Sequence, residues 1–402
     1  MKSTARHSSH FVRIRLVGRI LRVAQRECGI LVKNPIYLFS LVLFPVFIIF
    51  FFTSLLNNGS PDELPCGVVD HDNTITTRAL THSLDAFQSA KVVAHYPTVN
   101  DARRAIQRGE IYGFMYFPKN TTSDMLAKRQ PTVSFYYSEI CMVAGSTMLR
   151  DMKTVMSLGA AAVGSAKLSA IGKSNTEIRA FLQPIVIDLH MVGNPWGNYN
   201  AYLSTFLVPG IIMLFIFLIS AYSIGTELKF QRSRDWLQLS GGNMVIALIG
   251  KFLPQFLVSF SIMLGFYWYT LGYLGFPHAC APWRIILLAF LTVIGAESFG
   301  IFVFSLLPSL RMSMSICSLW AVLGFSIGGA TYPVFAMHHV IEALSWLFPL
   351  RHYYMVYQKT IFNGYPLTDV WWNIILCVVI ILLPWLTLNR LRKAMLEYVY
   401  IP

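Results

Sequence analysis

The chain has 402 residues, 55% of them hydrophobic and 13% charged, and a mean hydropathy of +0.54. Soluble domains carry about 25% charged residues, so this composition excludes an ordinary soluble fold and points to a membrane. The formal net charge of +13 would suit a nucleic-acid binder, but its placement along the chain makes it a topology signal and leaves no reason to expect nucleic acid as a partner.

Residues 1–35 carry eight Lys/Arg against the single acid Glu27. Arg15, Arg19, Arg22 and Arg26 recur at helical spacing, and Leu16, Val17, Ile20, Leu21, Ala24, Cys28 and Leu31 form a second face. This pattern predicts an amphipathic helix over Phe11–Val32, suited to lying in the lipid interface of the inner leaflet or to holding a partner. Asn34-Pro35 closes it.

The apolar run 36–56 has the length of a membrane-crossing helix, about 20 residues. It exceeds the roughly 7–15 residues of a signal-peptide core and ends on bulky residues, so it is expected to remain uncleaved.

Residues 57–200 are polar and nearly neutral, with 13 Lys/Arg against 12 Asp/Glu. Short apolar runs at Pro65–Asp70, Lys91–Ala94, Ile111–Phe117 and Thr132–Tyr137 read as strands. Thr76–Ser89 and Val99–Arg108 read as helices, as does most of Cys141–Ala180. The alternation predicts a small α/β domain with a helical extension. Cys66 and Cys141 lie in this segment; on the outer side a disulfide between them is chemically permitted, and two free thiols are the alternative. Gly172-Lys173-Ser174 resembles the end of a P-loop, but the motif needs glycine where Lys167 stands, and no other Walker-like run occurs.

Five further apolar runs follow, at Tyr202–Gly225, Met244–Phe276, Ile285–Leu307, Met312–Tyr332 and Val370–Leu388. The basic segment 226–243 separates the first two, and the tail 391–402 is again basic. Short loops rich in Lys/Arg stay in the cytoplasm. Six crossings then put both termini and segment 226–243 in the cytoplasm, and residues 57–200 outside. Residues 333–350 hold His338, His339 and Glu342 between Pro333 and Pro349, too short and polar to span, and are expected to form an outer re-entrant hairpin. The expected fold is an α-helical integral membrane protein with six transmembrane helices in a 1+5 order and an inserted α/β extracytoplasmic domain.

Little in the chain supports catalysis. Glu297 is the clear acid within a span, and intramembrane carboxylates mark functional sites by default; substrate contact and a hydrogen bond to a neighbouring helix are both open readings. His338, His339, Glu342 and His352 lack the spacing of a metal site, and the six cysteines contain no CxxC pair. No metal or cofactor is therefore expected.

The 1+5 order, Gly67-Val-Val-Asp70-His-Asp72, the run ARRAIQRGEIYG at 102–113, the segment Glu227–Leu239 and the stretch Tyr332-Pro333 through Trp346-Leu-Phe-Pro349 together resemble the membrane subunit of a type-2 ATP-binding cassette (ABC-2) exporter. The resemblance is to the branch with a large periplasmic domain after the first helix. It departs at Ser240-Gly241-Gly242, where that family has a small residue and proline.

The resemblance implies a permease without its own ATPase motif. Its partners would be separate ABC ATPase subunits that bind the ATP, a second permease subunit (the same chain or a sister) and a periplasmic adaptor. It implies location in a bacterial inner membrane and an amphipathic or hydrophobic substrate. Carried over residue by residue, Glu227, Arg232, Arg234 and Trp236 would form the ATPase-coupling surface, and the helix bearing Arg15 to Arg26 the interfacial helix. The alternative is a non-transporting scaffold or sensor whose outer domain binds a ligand or an envelope protein.

Overall fold

The computed structural model describes residues 2–127, 129–185, 188, 190, 193–194 and 197–398, with side chains from residue 16 onward. The chain divides into two compact units, Asn58–His190 and the remainder.

Among the described residues of the larger unit, six helices are long and apolar enough to cross a membrane: Pro35–Leu55, Tyr199–Lys229, Met244–Tyr273, Pro282–Leu306, Leu310–Ile327 and Leu367–Glu397, hereafter spans 1 to 6. Leu, Ile, Phe and Val fill them, so the backbone polar groups close on one another while apolar side chains face outward or inward. Pro209, Pro254 and Pro384 sit inside spans 2, 3 and 6 without ending them. Span 2 is central. It packs on spans 1, 4 and 5, and span 4 also packs on span 6.

Two devices hold these helices close. One is small residues: a Cβ on Gly300 of span 4 would lie 2.8 Å from the Phe217 carbonyl oxygen of span 2. The other is buried polar pairs, which glue helices where lipid gives no hydrophobic drive. Asn200 donates to the Thr53 carbonyl at 3.0 Å, joining spans 2 and 1. Gln255 donates to Ser223 Oγ at 2.9 Å, joining spans 3 and 2.

Residues 333–362 form short helical turns at Val334–Ala336, His339–Ser345, Pro349–Val356 and Tyr357–Phe362. Pro349 opens its helix at a position where the missing N–H costs nothing.

The smaller unit carries a four-stranded sheet, built of β1 (Leu64–Asp70), β2 (Ala90–His95), β3 (Gly113–Phe117) and β4 (Ser134–Tyr137). The strand order is β2-β1-β3-β4. β1 pairs in parallel with β2 and β3, and β4 is antiparallel to β3. Alternate residues face opposite sides, as strand geometry requires. Cys66, Val68, Met115 and Phe117 pack under the helices Ile75–Asp85 and Met142–Ala170, whereas Val69 and Phe114 pack under Val99–Gln107. Cys66 and Cys141 are both free, Cys66 buried and Cys141 exposed. Burial pushes the Cys66 thiol up to about 12, so it stays protonated and inert. The acidic turn after β1 satisfies itself: Asp70 accepts from the Asp72 and Asn73 amides and from Thr77, and Asp72 accepts from Thr122.

Candidate functional site

The segment joining spans 2 and 3 is built by local chemistry. Span 2 ends at Lys229, Gln231 takes a left-handed φ of 55°, and a two-turn helix follows over Ser233–Leu239. Gly241 and Gly242 then adopt successive left-handed conformations, φ 71° and 76°, which side chains rarely tolerate. Two glycines therefore reverse the chain where the resembled family uses proline. Asn243 caps span 3 through its side-chain oxygen.

The short helix is held on three sides. Trp236 is fully buried and donates its indole N–H to the Ala247 carbonyl at 3.2 Å. Ser233 donates to the Met395 carbonyl at 2.7 Å, binding the end of span 6. On the third side lies the N-terminal helix, Lys2–Lys33, whose Arg19 reaches so close to Gly241 that a Cβ there would sit 2.5 Å from Nη1.

Where this helix meets spans 2 and 3, four ionisable groups are packed together. Arg26 donates to both oxygens of Glu227 at 2.8 Å and to Glu27 at 2.6 Å. Lys251 Nζ donates to Glu227 at 2.8 Å and Glu27 at 2.9 Å, and lies 5.2 Å from the Trp236 ring centroid. The cluster is two cations and two carboxylates, so its formal charge is zero. Lys251, Glu27 and Glu227 are each 3% exposed or less. Burial works against the charge of Arg26, but its hydrogen bonds to Glu227 and the nearby Glu27 hold its pKa above the ordinary value. A carboxylate removed from water costs several kcal/mol unless paired and hydrogen-bonded, and here each has both.

These contacts correct several expectations. Glu227 and Trp236 were expected on a partner-facing surface, but both are buried and tie the joining segment to the bundle. Arg232 and Arg234 are exposed. The N-terminal helix packs on span 3 through Ile20, Val23 and Glu27, because Gly250 admits Val23 to within 2.7 Å of a Cβ built there. The expected apolar face is thereby split: Ala24 is buried, whereas Leu16, Val17, Leu21 and Cys28 are exposed. Arg22 is exposed, Arg19 is half-buried and Arg26 faces the cluster. The Arg15 side chain lies outside the described residues. The sequence reading missed Glu27 and Lys251 as members of a site. The available signals were an acid on the packing face of a basic helix and a lysine inside an apolar run.

A family model described as ABC-2 family transporter protein matches residues 35–388. The chain belongs to the ABC-2 transporter family. No curated protein matches it closely enough to add a relative. The matched region begins with span 1 and runs well into span 6, so it covers the joining segment and the carboxylates Glu227 and Glu297. The ABC-2 membrane domain is a transporter permease and is not itself catalytic.

The remaining site residues of this ABC-2 chain fall elsewhere. Glu297 is buried in span 4, 6% exposed. Pro333 is exposed at the start of the first turn, and Glu342 is half-buried. Through its backbone oxygen Glu342 accepts from Arg351, which lies over the Trp346 ring with 4.4 Å from its guanidinium carbon to the centroid. His352 is buried with both ring nitrogens engaged, at 2.8 Å from the Trp346 carbonyl and 3.2 Å from Asn373 Nδ2. Burial lowers its pKa to about 4, so it is neutral near pH 7. Its donor set is thus spent on structure, and no group of three or more metal-ligating side chains occurs among the described residues.

Proposed function

We propose that this ABC-2 chain is the transmembrane subunit of an exporter driven by ATP hydrolysis on a separate ABC ATPase. The observation that carries the reading is the joining segment. Arg232 and Arg234 are exposed at the start of a short helix whose other face is anchored to span 2, span 3, span 6 and the N-terminal helix at once. An ATPase pressing on that helix would move several spans together, because rigid packed elements transmit displacement as bodies. Glu227 and Trp236 would act as positioning residues behind the contact, with Arg232 and Arg234 touching the partner.

In this reading both termini and the joining segment face the cytoplasm of a bacterial inner membrane, and Asn58–His190 lies in the periplasm, in agreement with the charge partition. A second permease subunit completes the pathway, and the periplasmic unit meets an adaptor. The substrate is amphipathic or hydrophobic. Exposed Val17, Leu21 and Val32 on the N-terminal helix would meet lipid, with Arg22 at the headgroups.

The test is co-expression with a candidate ABC ATPase subunit and purification in nanodiscs. Association and ATP turnover are expected, and R232E/R234E should abolish both while leaving the chain folded. A stable chain that recruits no ATPase would favour a non-transporting scaffold instead.

A further inference from the structure

Among the described residues four acids are buried: Glu27, Asp151, Glu227 and Glu297. Three are partnered. Glu27 and Glu227 share the cation cluster, and Asp151 accepts from Ser89 and lies 3.6 Å from Arg150. Glu297 has no hydrogen bond or ion pair among the described residues, and its Oε1 is fully buried without a partner. A buried polar atom left unsatisfied is costly, and an unpaired carboxylate in an apolar medium more so.

The surroundings of Glu297 are specific. It lines a groove of about 400 Å³ between spans 3, 4 and 6, a volume typical of small-molecule sites. The walls are apolar, with Phe252, Leu253 and Phe256 from span 3, Ile294 and Ile301 from span 4, and Trp385 from span 6. Glu297 and Ser298 are the polar residues of the lining. Gly300 brings this part of span 4 against Phe217 and Ser220 of span 2, and Ala296 is fully buried. The carboxyl is therefore carried by a tightly packed helix.

From the orphaned carboxyl and the apolar walls together, we infer that this groove is a binding site for a lipophilic primary amine, with the ammonium on Glu297 and the hydrocarbon body along spans 3 and 6. An ammonium supplies both what the carboxyl lacks, a donor and a counter-charge, whereas a hydroxyl supplies a donor alone. A neutral acyl chain would fill the walls and leave the carboxyl as it is.

The probe is an alkylammonium of about twelve carbons with a dansyl group at the far end, compared with its alcohol analogue. Binding is measured by fluorescence on the full-length chain in zwitterionic nanodiscs without ATPase, so a failure here is distinct from a failure to recruit an ATPase. The ammonium should bind saturably above empty nanodiscs and at least tenfold more tightly than the alcohol. Glu297→Gln should erase that preference. Leu253→Trp, which keeps the carboxyl and fills the groove, should remove saturable binding of both probes.

Equal binding of ammonium and alcohol by the unmodified chain would overturn the inference in favour of a lipid acyl site, and this comparison stands even if a variant fails to fold. Unchanged ammonium binding in E297Q would also overturn it. So would a Leu253→Trp variant that alters the dimer fraction but not ammonium binding, which would give the groove to a second copy of the chain.

Discussion

The first half of span 3 borders two different solutions to a buried carboxylate. At Lys251, four charges sum to zero and five short hydrogen bonds satisfy them. In the groove that begins at Val245 and reaches Phe256, Glu297 stands alone. The first arrangement is internally complete, and removing any member leaves a charge without compensation. The second is incomplete, and changing it should cost the fold little. The contrast separates a carboxylate that holds helices together from one that is available to a ligand.

The largest expected effect comes from breaking the complete cluster. Lys251→Met leaves Glu27 and Glu227 with only Arg26, and loss of one partner of a buried pair costs about 3–5 kcal/mol. Thermal unfolding in detergent should show a large loss. The double change K251M/E27Q restores neutrality and should recover most of it; no recovery would mean that Lys251 acts through packing and not charge.

His352 offers a comparison with a buried group kept neutral. Its folded pKa, about 4, lies below the ordinary histidine value of about 6.5. The unfolded chain therefore binds more protons across that window. The contribution is fully present above about pH 6.5 and is lost as pH falls toward 4, amounting to about 3 kcal/mol at most. Melting curves between pH 7 and pH 4.5 should fall more steeply for the unmodified chain than for His352→Gln. Parallel curves would remove His352 from the acid response.

A smaller effect is expected where the joining segment meets the N-terminal helix. Gly241→Ala combines a left-handed φ with a close approach to Arg19, and should destabilise by about 1–3 kcal/mol. Adding Arg19→Ala should relieve the crowding but not the backbone strain, so recovery should be partial. Full recovery would show that the turn tolerates a side chain.

The smallest effect sharpens the comparison most. Glu297→Gln removes no hydrogen bond present in the structure, so unfolding should shift by less than about 1 kcal/mol, the range of substitutions that break no named interaction. A loss as large as that of K251M would mean that Glu297 is as structural as the cluster.

Much of the membrane unit was legible because its signal is local. A helix in lipid needs about 20 apolar residues, and six such runs stand apart in the sequence. Their structural limits do not follow the apolar runs: span 2 starts at Tyr199 and continues to Lys229, whereas span 5 ends at Ile327, short of Tyr332. In the smaller unit, short apolar runs closed by turn residues marked β1 and β3, whereas the short helix Thr121–Leu126 carried too short a pattern to notice. The coupling residues were found by type but misplaced in depth. Glu227 and Trp236 look like surface residues beside Arg232 and Arg234, and nothing within the joining segment says that a lysine 24 positions on and an arginine 201 positions back will bury that glutamate.

What the sequence by itself determined is therefore what depends on neighbours along the chain: the membrane-length helices and the paired glycines at 241 and 242. Tertiary structure alone decided which charges meet. Arg26, Glu27, Glu227 and Lys251 come from three separate helices, and only their packing distinguishes a neutral cluster from four unrelated surface charges. The same packing left Glu297 without a partner beside an apolar groove. Hydropathy is a property of each segment, but charge compensation in a low-dielectric interior is a property of distances between segments.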